Sequence, residues 1–313
     1  MSRITRYQDS FKKYITEKNI LNDLLEDKTI KYYFDKYYNE DNLNLPILLL
    51  TILNSQNKKN KISFHGYPFA CGIYLLYVAV NILNNEELTI EGYRVINILI
   101  VTITKFIYEN VQKVNKKISS DKVNQICLEI FKSIEETLGI NGLLTKCIIT
   151  NHTKCDTSIK KYFKKHDNNI YIELFKKKFI KKESLDNIIN QRLGSICYLG
   201  IKIAWILGNG IIKEKELKRI KKLSKNFAFI FQISNDFKNL TNRDTLQNNY
   251  VVNCGFSSAY QEFLKNKQEF IEESMVLNIL SITVKEILDN IESNMDSIID
   301  DTTQEIKSSL INF

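Results

Sequence analysis

Apolar residues recur every three or four positions along most of this chain, the spacing that places them on one face of an α-helix. Only two prolines and ten glycines interrupt the 313 residues, and few β proteins tolerate so few turn-forming residues. The pattern therefore predicts an all-α protein. The predicted helices cover residues 4–25, 29–38, 42–53, 69–83, 93–108, 121–138, 184–210 and 214–239, with at least two more between 257 and 313.

Two segments, 69–83 and 93–108, are apolar nearly all round. Both fall short of the roughly 20 apolar residues that cross a bilayer, and the second contains Arg94 and Lys105. We therefore expect helices buried in the protein interior. Pro68 suits the start of the first of them, since proline is tolerated in a first helical turn.

The length and the 44% apolar content suffice for a substantial core. No segment has the composition of a linker, so we expect one domain over residues 1–313. The six cysteines form no CxxC pair and no zinc-ligand spacing with histidine, which predicts reduced structural thiols. The polar N-terminal segment lacks the apolar centre of a secretory signal, which predicts a cytoplasmic protein.

The formal net charge is +8, and a block rich in lysine and aromatic residues at about 151–183 contributes much of it. Such a block is a candidate for peripheral contact with an anionic membrane. The competing interpretation, a solvated insertion, is favoured because lysine, asparagine and isoleucine are abundant throughout the chain. No segment matches a nucleic-acid-binding motif, so no nucleic-acid partner is expected.

The stretch "FQISND", residues 231–236, resembles the second aspartate-rich motif of the trans-isoprenyl diphosphate synthases, written FQ-x-x-D-D-x-x-D. Members of that family are all-α bundles, normally dimeric. Their central cavity holds an allylic diphosphate through Mg²⁺ bridged to aspartates. The resemblance thus implies an isoprenoid-synthase-type helical bundle around a central cavity, with an isoprenyl diphosphate as ligand.

Two further stretches resemble the same family in the expected order. "RLGSICYLGIKIAWILG", residues 192–208, is similar to the K-T-G-x-L-F segment and places Arg192 at its lysine position. "GINGLLTKCIIT", residues 139–150, is similar to the G-x-x-G-L-x-x-G-Q-x-x-D helix. The early G-K-x-x-R motif would fall at 63–72, where His65 is a candidate hydrogen-bond donor.

The family's chemistry depends on two facing carboxylate clusters that hold Mg²⁺ against the diphosphate. At the second cluster this chain keeps one carboxylate, Asp236, while Asn235 and Asn239 occupy the other two positions. Glu109 is the only carboxylate in the segment 104–117, where the first cluster should lie. An amide is a poorer Mg²⁺ ligand than a carboxylate, so we expect the metal site to be weak or lost.

The resemblance implies a role for each matched residue. Asp236 and Glu109 are the candidate catalytic groups, expected on facing helices at one cavity mouth. The candidate metal ligands are Asp236, Asn235 and Asn239, and the candidate substrate-binding residues are Arg192, Gln232, Phe231 and His65. The position that sets product length falls at Thr102 or Ile103, and the sequence leaves both open.

Three hypotheses follow. The first is a non-catalytic or regulatory subunit-like protein of isoprenoid biosynthesis, acting as a homodimer or beside an active synthase subunit. The second is a divergent active prenyltransferase or terpene-synthase-like enzyme with a residual Mg²⁺ site, since "NDFKNLTNRD" resembles the terpene synthase pattern N-D-x-x-S-x-x-x-E with Arg243 at the glutamate. The third is an unrelated helical binding protein.

Overall fold

The computed structural model describes residues 2–17, 22–37, 43–56, 66–84, 89–114, 120–138, 180–240 and 248–301. Within these ranges every regular element is helical, as the hydrophobic spacing predicts. The elements are α1 (Arg3–Glu17), α2 (Asn22–Leu25), α3 (Lys28–Tyr37), α4 (Asn44–Ser55), α5 (Tyr67–Asn84), α6 (Ile90–Val114), α7 (Ser120–Leu138), α8 (Lys182–Ile189), a π-helical turn (Asn190–Gly194), α9 (Ser195–Leu207), α10 (Glu214–Lys238), α11 (Tyr250–Cys254), α12 (Phe256–Val276) and α13 (Ile282–Asp301).

Helix α9 lies at the centre of the bundle, because its sequence is apolar on nearly every side and almost all of it is buried. It packs against α4, α7 and α10. Gly200 permits the close approach to α4, since a Cβ atom there would lie 3.0 Å from both terminal carbons of Leu49. Around this centre, α5 packs along α6, and α10 packs along α12 and α13.

Most predicted helices agree with the structure within a few residues. Helix α6 extends further than the predicted 93–108, from Ile90 to Val114. The predicted segment 184–210 begins at Lys182, passes through the π-helical turn and ends at Leu207. The predicted basic block therefore ends inside a helix, because Lys182 and Glu183 form the first turn of α8. Ile180 and Lys181 precede that turn, and residues 151–179 of the block lie outside the described residues. The short helix α11 was absent from the hydrophobic pattern.

The two nearly uniform apolar segments form α5 and most of α6, and their inner faces are buried in the core. Over the described residues, no helix combines the length and apolarity needed to cross a bilayer. Cys71 and Cys197 are buried free thiols, and Cys254 is a partly buried one. Burial raises the pKa of Cys71 to about 12. These three cysteines agree with the prediction of reduced structural thiols.

Candidate functional site

Asp236 lies near the C-terminal end of α10 with only 5% of its surface exposed. Gln232 Nε2, one turn earlier, donates to Asp236 Oδ1 at 2.8 Å, and the Tyr250 amide donates to Oδ2 at 2.7 Å. Burial raises the pKa of the Asp236 carboxyl to about 7, against these two hydrogen bonds, which lower it. The group is therefore partly protonated near neutral pH.

The backbone of Asp236 is engaged as well as its side chain. Asn249 Nδ2 donates to the Asp236 carbonyl oxygen at 2.7 Å, while Asn249 Oδ1 accepts from the Val252 amide at 3.0 Å and caps α11. Asp236 thus holds the start of α11 through both its side chain and its backbone. The family resemblance assigns no role to Asn249 or Tyr250, although an asparagine just before an apolar run is a signal for a helix start.

A charged network holds the other side of α11. The Tyr250 hydroxyl donates to Asp186 Oδ1 at 3.0 Å. Lys182 bridges two carboxylates, Asp186 at 3.1 Å and Glu262 at 2.9 Å. Through these contacts α11 is tied to both α8 and α12, so the segment beside Asp236 is held on several sides. Of this network, sequence spacing shows only the i,i+4 pair of Lys182 and Asp186. The two other contacts join residues that are 64 and 80 positions apart in the chain.

Asn235 and Asn239 occupy the other two positions of the predicted metal set. Asn239 Nδ2 donates to the Asn235 carbonyl oxygen at 2.8 Å, where α10 ends. The Asn239 side chain therefore hydrogen-bonds to the backbone of the last turn of the helix. The three residues lie at one helix end, as their spacing predicts. The side chains of Asp236 and Asn239 already form hydrogen bonds within the protein.

Mg²⁺ prefers hard anionic oxygen ligands in octahedral geometry. Across the described residues, no group of three or more His, Cys, Asp or Glu side chains could hold a metal ion. Asp236 supplies one buried carboxyl, and both of its oxygens already accept hydrogen bonds. The described residues therefore do not fit a cluster of magnesium ions at this end of α10.

Phe231, a predicted substrate-binding residue, is buried against aromatic rings. Its ring meets Tyr77 of α5 edge-on, with centroids 5.9 Å apart, and stacks on Phe227 at the same centroid distance. Burial raises the pKa of the Tyr77 hydroxyl to about 12, and the Asp236 charge adds to the shift. Rings therefore fill the space between α5 and α10 beside Asp236.

Arg192 lies within the π-helical turn and is only 7% exposed. Its Nε has no hydrogen-bond partner, and burial lowers the pKa of the guanidinium to about 10. Lys202, a buried cation one helix further on, has its counter-ion in Glu129 at 3.0 Å. No described carboxylate forms such a pair with Arg192. A buried guanidinium whose Nε has no hydrogen-bond partner is suited to an anionic ligand.

The remaining predicted site residues are not tested by the geometry. Glu109 lies in the C-terminal half of α6, in a part of the helix where side chains are not described. His65 lies outside the described residues. Thr102 is half-buried and donates to the Ile98 carbonyl oxygen at 3.0 Å, whereas Ile103 is fully buried. The expected facing of Asp236 and Glu109 stays a prediction.

No family model matches the sequence, and no curated protein is similar to it in sequence. Solved structures are similar in fold. A geranyltransferase of Legionella pneumophila superposes with a TM-score of 0.58 over 95% of this chain and 99% of its own. A candidate farnesyl-diphosphate synthase of Marinomonas sp. MED121 superposes with a TM-score of 0.53 over 94% and 95%. This chain has the isoprenyl diphosphate synthase fold.

The isoprenyl diphosphate synthase fold confirms the resemblance carried by "FQISND" at the level of architecture. Sequence identity to both structures is 10%, so the likeness concerns the fold and not the chemistry. Within this isoprenyl diphosphate synthase fold, the chemistry depends on the side chains around Asp236 and Arg192.

Proposed function

We propose that this chain is a non-catalytic or regulatory subunit-like protein of isoprenoid biosynthesis, built on the isoprenyl diphosphate synthase fold. The observation that carries the proposal is the state of Asp236. Its carboxyl is buried, its pKa is raised to about 7, and its two oxygens accept hydrogen bonds from Gln232 and from the Tyr250 amide.

Ionisation of an allylic diphosphate requires cations that stabilise the departing pyrophosphate, and the cations require anionic ligands. Losing one group that stabilises developing charge costs about 3 kcal/mol of barrier. Asn235 and Asn239 bear no charge, and the Asn239 amide is bonded to the helix end. A Mg²⁺ site here is weak or lost, which favours the non-catalytic hypothesis over a divergent synthase.

A general acid that starts the reaction by protonation needs access to substrate. Asp236 is partly protonated near pH 7, but its oxygens face Gln232 and α11, and the aromatic pair of Tyr77 and Phe231 lies beside it. The Gln232 side chain already donates a hydrogen bond to Asp236 Oδ1. These observations support a structural role for both residues.

Binding of an isoprenyl diphosphate is a separate property from turnover. Arg192 keeps a buried guanidinium whose Nε has no hydrogen-bond partner. An anion such as a diphosphate would supply the missing acceptor, and charged pairs of this kind are among the stronger hydrogen bonds. We therefore propose that the chain binds an isoprenyl diphosphate through Arg192 without converting it.

The partner is a second copy of the chain or an active synthase subunit. Val101 on α6, and Leu128 and Phe131 on α7, are each more than half exposed, and α6 and α7 contact each other. Large apolar side chains on neighbouring helices are typical of a subunit interface. We name these three residues the α6–α7 apolar face and propose it as the contact surface.

The proposal is tested by incubating the purified protein with Mg²⁺, isopentenyl diphosphate and allylic diphosphates of several lengths. We expect no prenyl product or hydrocarbon from folded, monodisperse protein. Product that disappears in Asp236→Ala would overturn the proposal, because this carboxyl would then still support ionisation. Calorimetric titration with the same diphosphates measures the proposed binding separately from turnover.

A further inference from the structure

Five lysines line one side of the N-terminal half of α10. Lys218, Lys221, Lys222 and Lys225 follow the spacing of one helix face, and Lys215 extends that face by one turn toward the helix start. All five are exposed to solvent. We name this surface, composed of these five residues, the lysine face.

The lysine face is only partly neutralised. Lys218 pairs with Glu214 on the same helix at 2.7 Å, and both side chains are highly exposed. Lys222 lies 3.4 Å from Glu269 and from Glu273 of α12. Within the part of the chain that the structure describes, the other three lysines have no carboxylate at ion-pair distance. An excess of positive charge therefore remains on an open helix surface.

An exposed apolar side chain precedes the lysine face in the chain, four residues before Lys215. Ile211 is 56% exposed and precedes α10 by three residues. Its carbonyl oxygen accepts a hydrogen bond from Trp205 Nε1 at 2.9 Å, so the loop backbone is anchored while the isoleucine side chain points to solvent. Basic charge beside an exposed apolar group combines the two signals that bind a protein to an anionic bilayer surface.

We propose that the lysine face, together with Ile211, binds the surface of a membrane rich in anionic lipids. Lysine ammonium groups act as point charges toward phosphate headgroups and need no planar partner. A nucleic-acid surface would use arginine forks and exposed rings for stacking. Here the neighbouring Arg219 is engaged by Glu273 at 2.7 Å, and the Phe229 ring next to Lys225 is buried.

This surface shares no residue with the candidate site, so the inference does not depend on the proposed function. It is also distinct from the basic block at about 151–183, which the sequence offers as a candidate membrane contact but favours as a solvated insertion. Membrane binding by that block and by the lysine face are separable, because the lysine face can be changed while the block is left intact.

The test is co-sedimentation of the full chain with phosphatidylcholine vesicles that contain or lack phosphatidylserine. We expect binding only to the anionic vesicles, with affinity that falls steeply as salt is added. Removing three lysine charges in Lys215→Gln/Lys221→Gln/Lys225→Gln lowers the partition coefficient by about a hundredfold, since each lysine contributes roughly fivefold. Ile211→Ser lowers it by about threefold to tenfold and leaves the salt dependence unchanged.

The matched control is Lys31→Gln/Lys105→Gln/Lys285→Gln, which removes the same net charge from exposed lysines elsewhere. It should bind like the wild type, and the far-UV circular dichroism of all variants should match. Equal weakening by both triple variants would overturn the proposal in favour of a net-charge effect. Absence of wild-type binding would overturn it outright, and an oligonucleotide bound with the same dependence on Lys215, Lys221 and Lys225 would replace it with nucleic-acid binding.

Discussion

At the scale of single residues, Asp236 links the family resemblance to the observed structure. The motif comparison assigns it to metal binding and catalysis, whereas its hydrogen bonds assign it to holding the start of α11. Both interpretations need a carboxyl group at this position. They differ in what the carboxyl contacts, and therefore in how its protonation affects the stability of the protein.

Asp236 should make the protein less stable as pH rises. Burial raises its folded-state pKa to about 7 from an ordinary value of 3.8, so the native protein holds this proton more tightly than the unfolded chain. The stabilising contribution is complete below the unfolded pKa and is lost as pH rises through about 7. The loss amounts to a few kcal/mol, at about 1.4 kcal/mol per pKa unit.

The measurement compares urea unfolding of the wild type and Asp236→Asn at pH 5, 6, 7 and 8. Asparagine can accept from the Tyr250 amide and donate to Gln232 after the glutamine amide rotates, so the variant is expected to fold. The free energy of unfolding of the wild type relative to the variant should fall across this range. Parallel pH profiles would contradict the raised pKa.

Arg192→Met should stabilise the fold and weaken diphosphate binding together. A buried charge without a counter-ion is unfavourable, and an apolar residue of similar length should raise the free energy of unfolding by about 1–3 kcal/mol. Calorimetric titration with an isoprenyl diphosphate should show at least a tenfold loss of affinity. Unchanged affinity with increased stability would leave Arg192 a structural residue.

At the scale of elements, α8, the π-helical turn and α9 form one continuous helical segment that the sequence pattern already predicts as a unit. A π turn inserts a residue into the helix and shifts the side chains around it, and such turns are frequent at functional sites. Here it contains Arg192. Beyond it, α9 is buried on nearly every side, so its packing tolerates little change in volume.

Gly200→Ala should destabilise the protein. A Cβ atom at this position would lie 3.0 Å from both Leu49 methyl carbons and 3.3 Å from Ile73 Cγ2, so these buried side chains of α4 and α5 would have to give way. We expect a loss of about 1–3 kcal/mol in the free energy of unfolding, measured by urea titration. Gly194→Ala is the matched control, because its nearest contact would be an ordinary 3.5 Å. Equal effects of the two substitutions would contradict the packing argument.

At the scale of the whole molecule, the first and last described helices, α1 and α13, are in contact. The Glu286 carboxylate of α13 accepts hydrogen bonds from the amides of Arg3 and Ile4 at 3.3 and 2.7 Å and caps α1. One hydrophobic core extends from Ile4 to Met295. The α6–α7 apolar face lies outside that core, which is why we assign it to an assembly rather than to folding.

Phe131→Glu should convert the proposed assembly to a monomer. A carboxylate at an apolar contact would be desolvated without a partner, which commonly costs several kcal/mol of association free energy. Light scattering after size exclusion measures the mass directly. Met275→Glu is the control, because Met275 on α12 is 58% exposed against 60% for Phe131. A monomeric wild type, or equal dissociation by both variants, would contradict the assignment.

The sequence predicts the fold class and most helix positions because helices are local and the spacing of apolar residues records which face is buried. It also predicts that Asn235, Asp236 and Asn239 share a helix end, since their spacing fixes that. It does not predict α11, because five residues are too few to show a hydrophobic period. The aromatic contact between Tyr77 and Phe231 is equally absent from the pattern, since it joins two distant helices.

The sequence by itself therefore determined an all-α bundle and the positions along the chain where family-like chemistry could lie. The tertiary structure decided what those side chains contact: Asp236 with Gln232 and α11, and Arg192 in the interior without an acceptor for its Nε. The physical reason is the separation along the chain of the residues that interact. Helix formation depends on neighbours within four residues, whereas burial, pKa and the identity of a hydrogen-bond partner depend on segments far apart in sequence that only folding brings together.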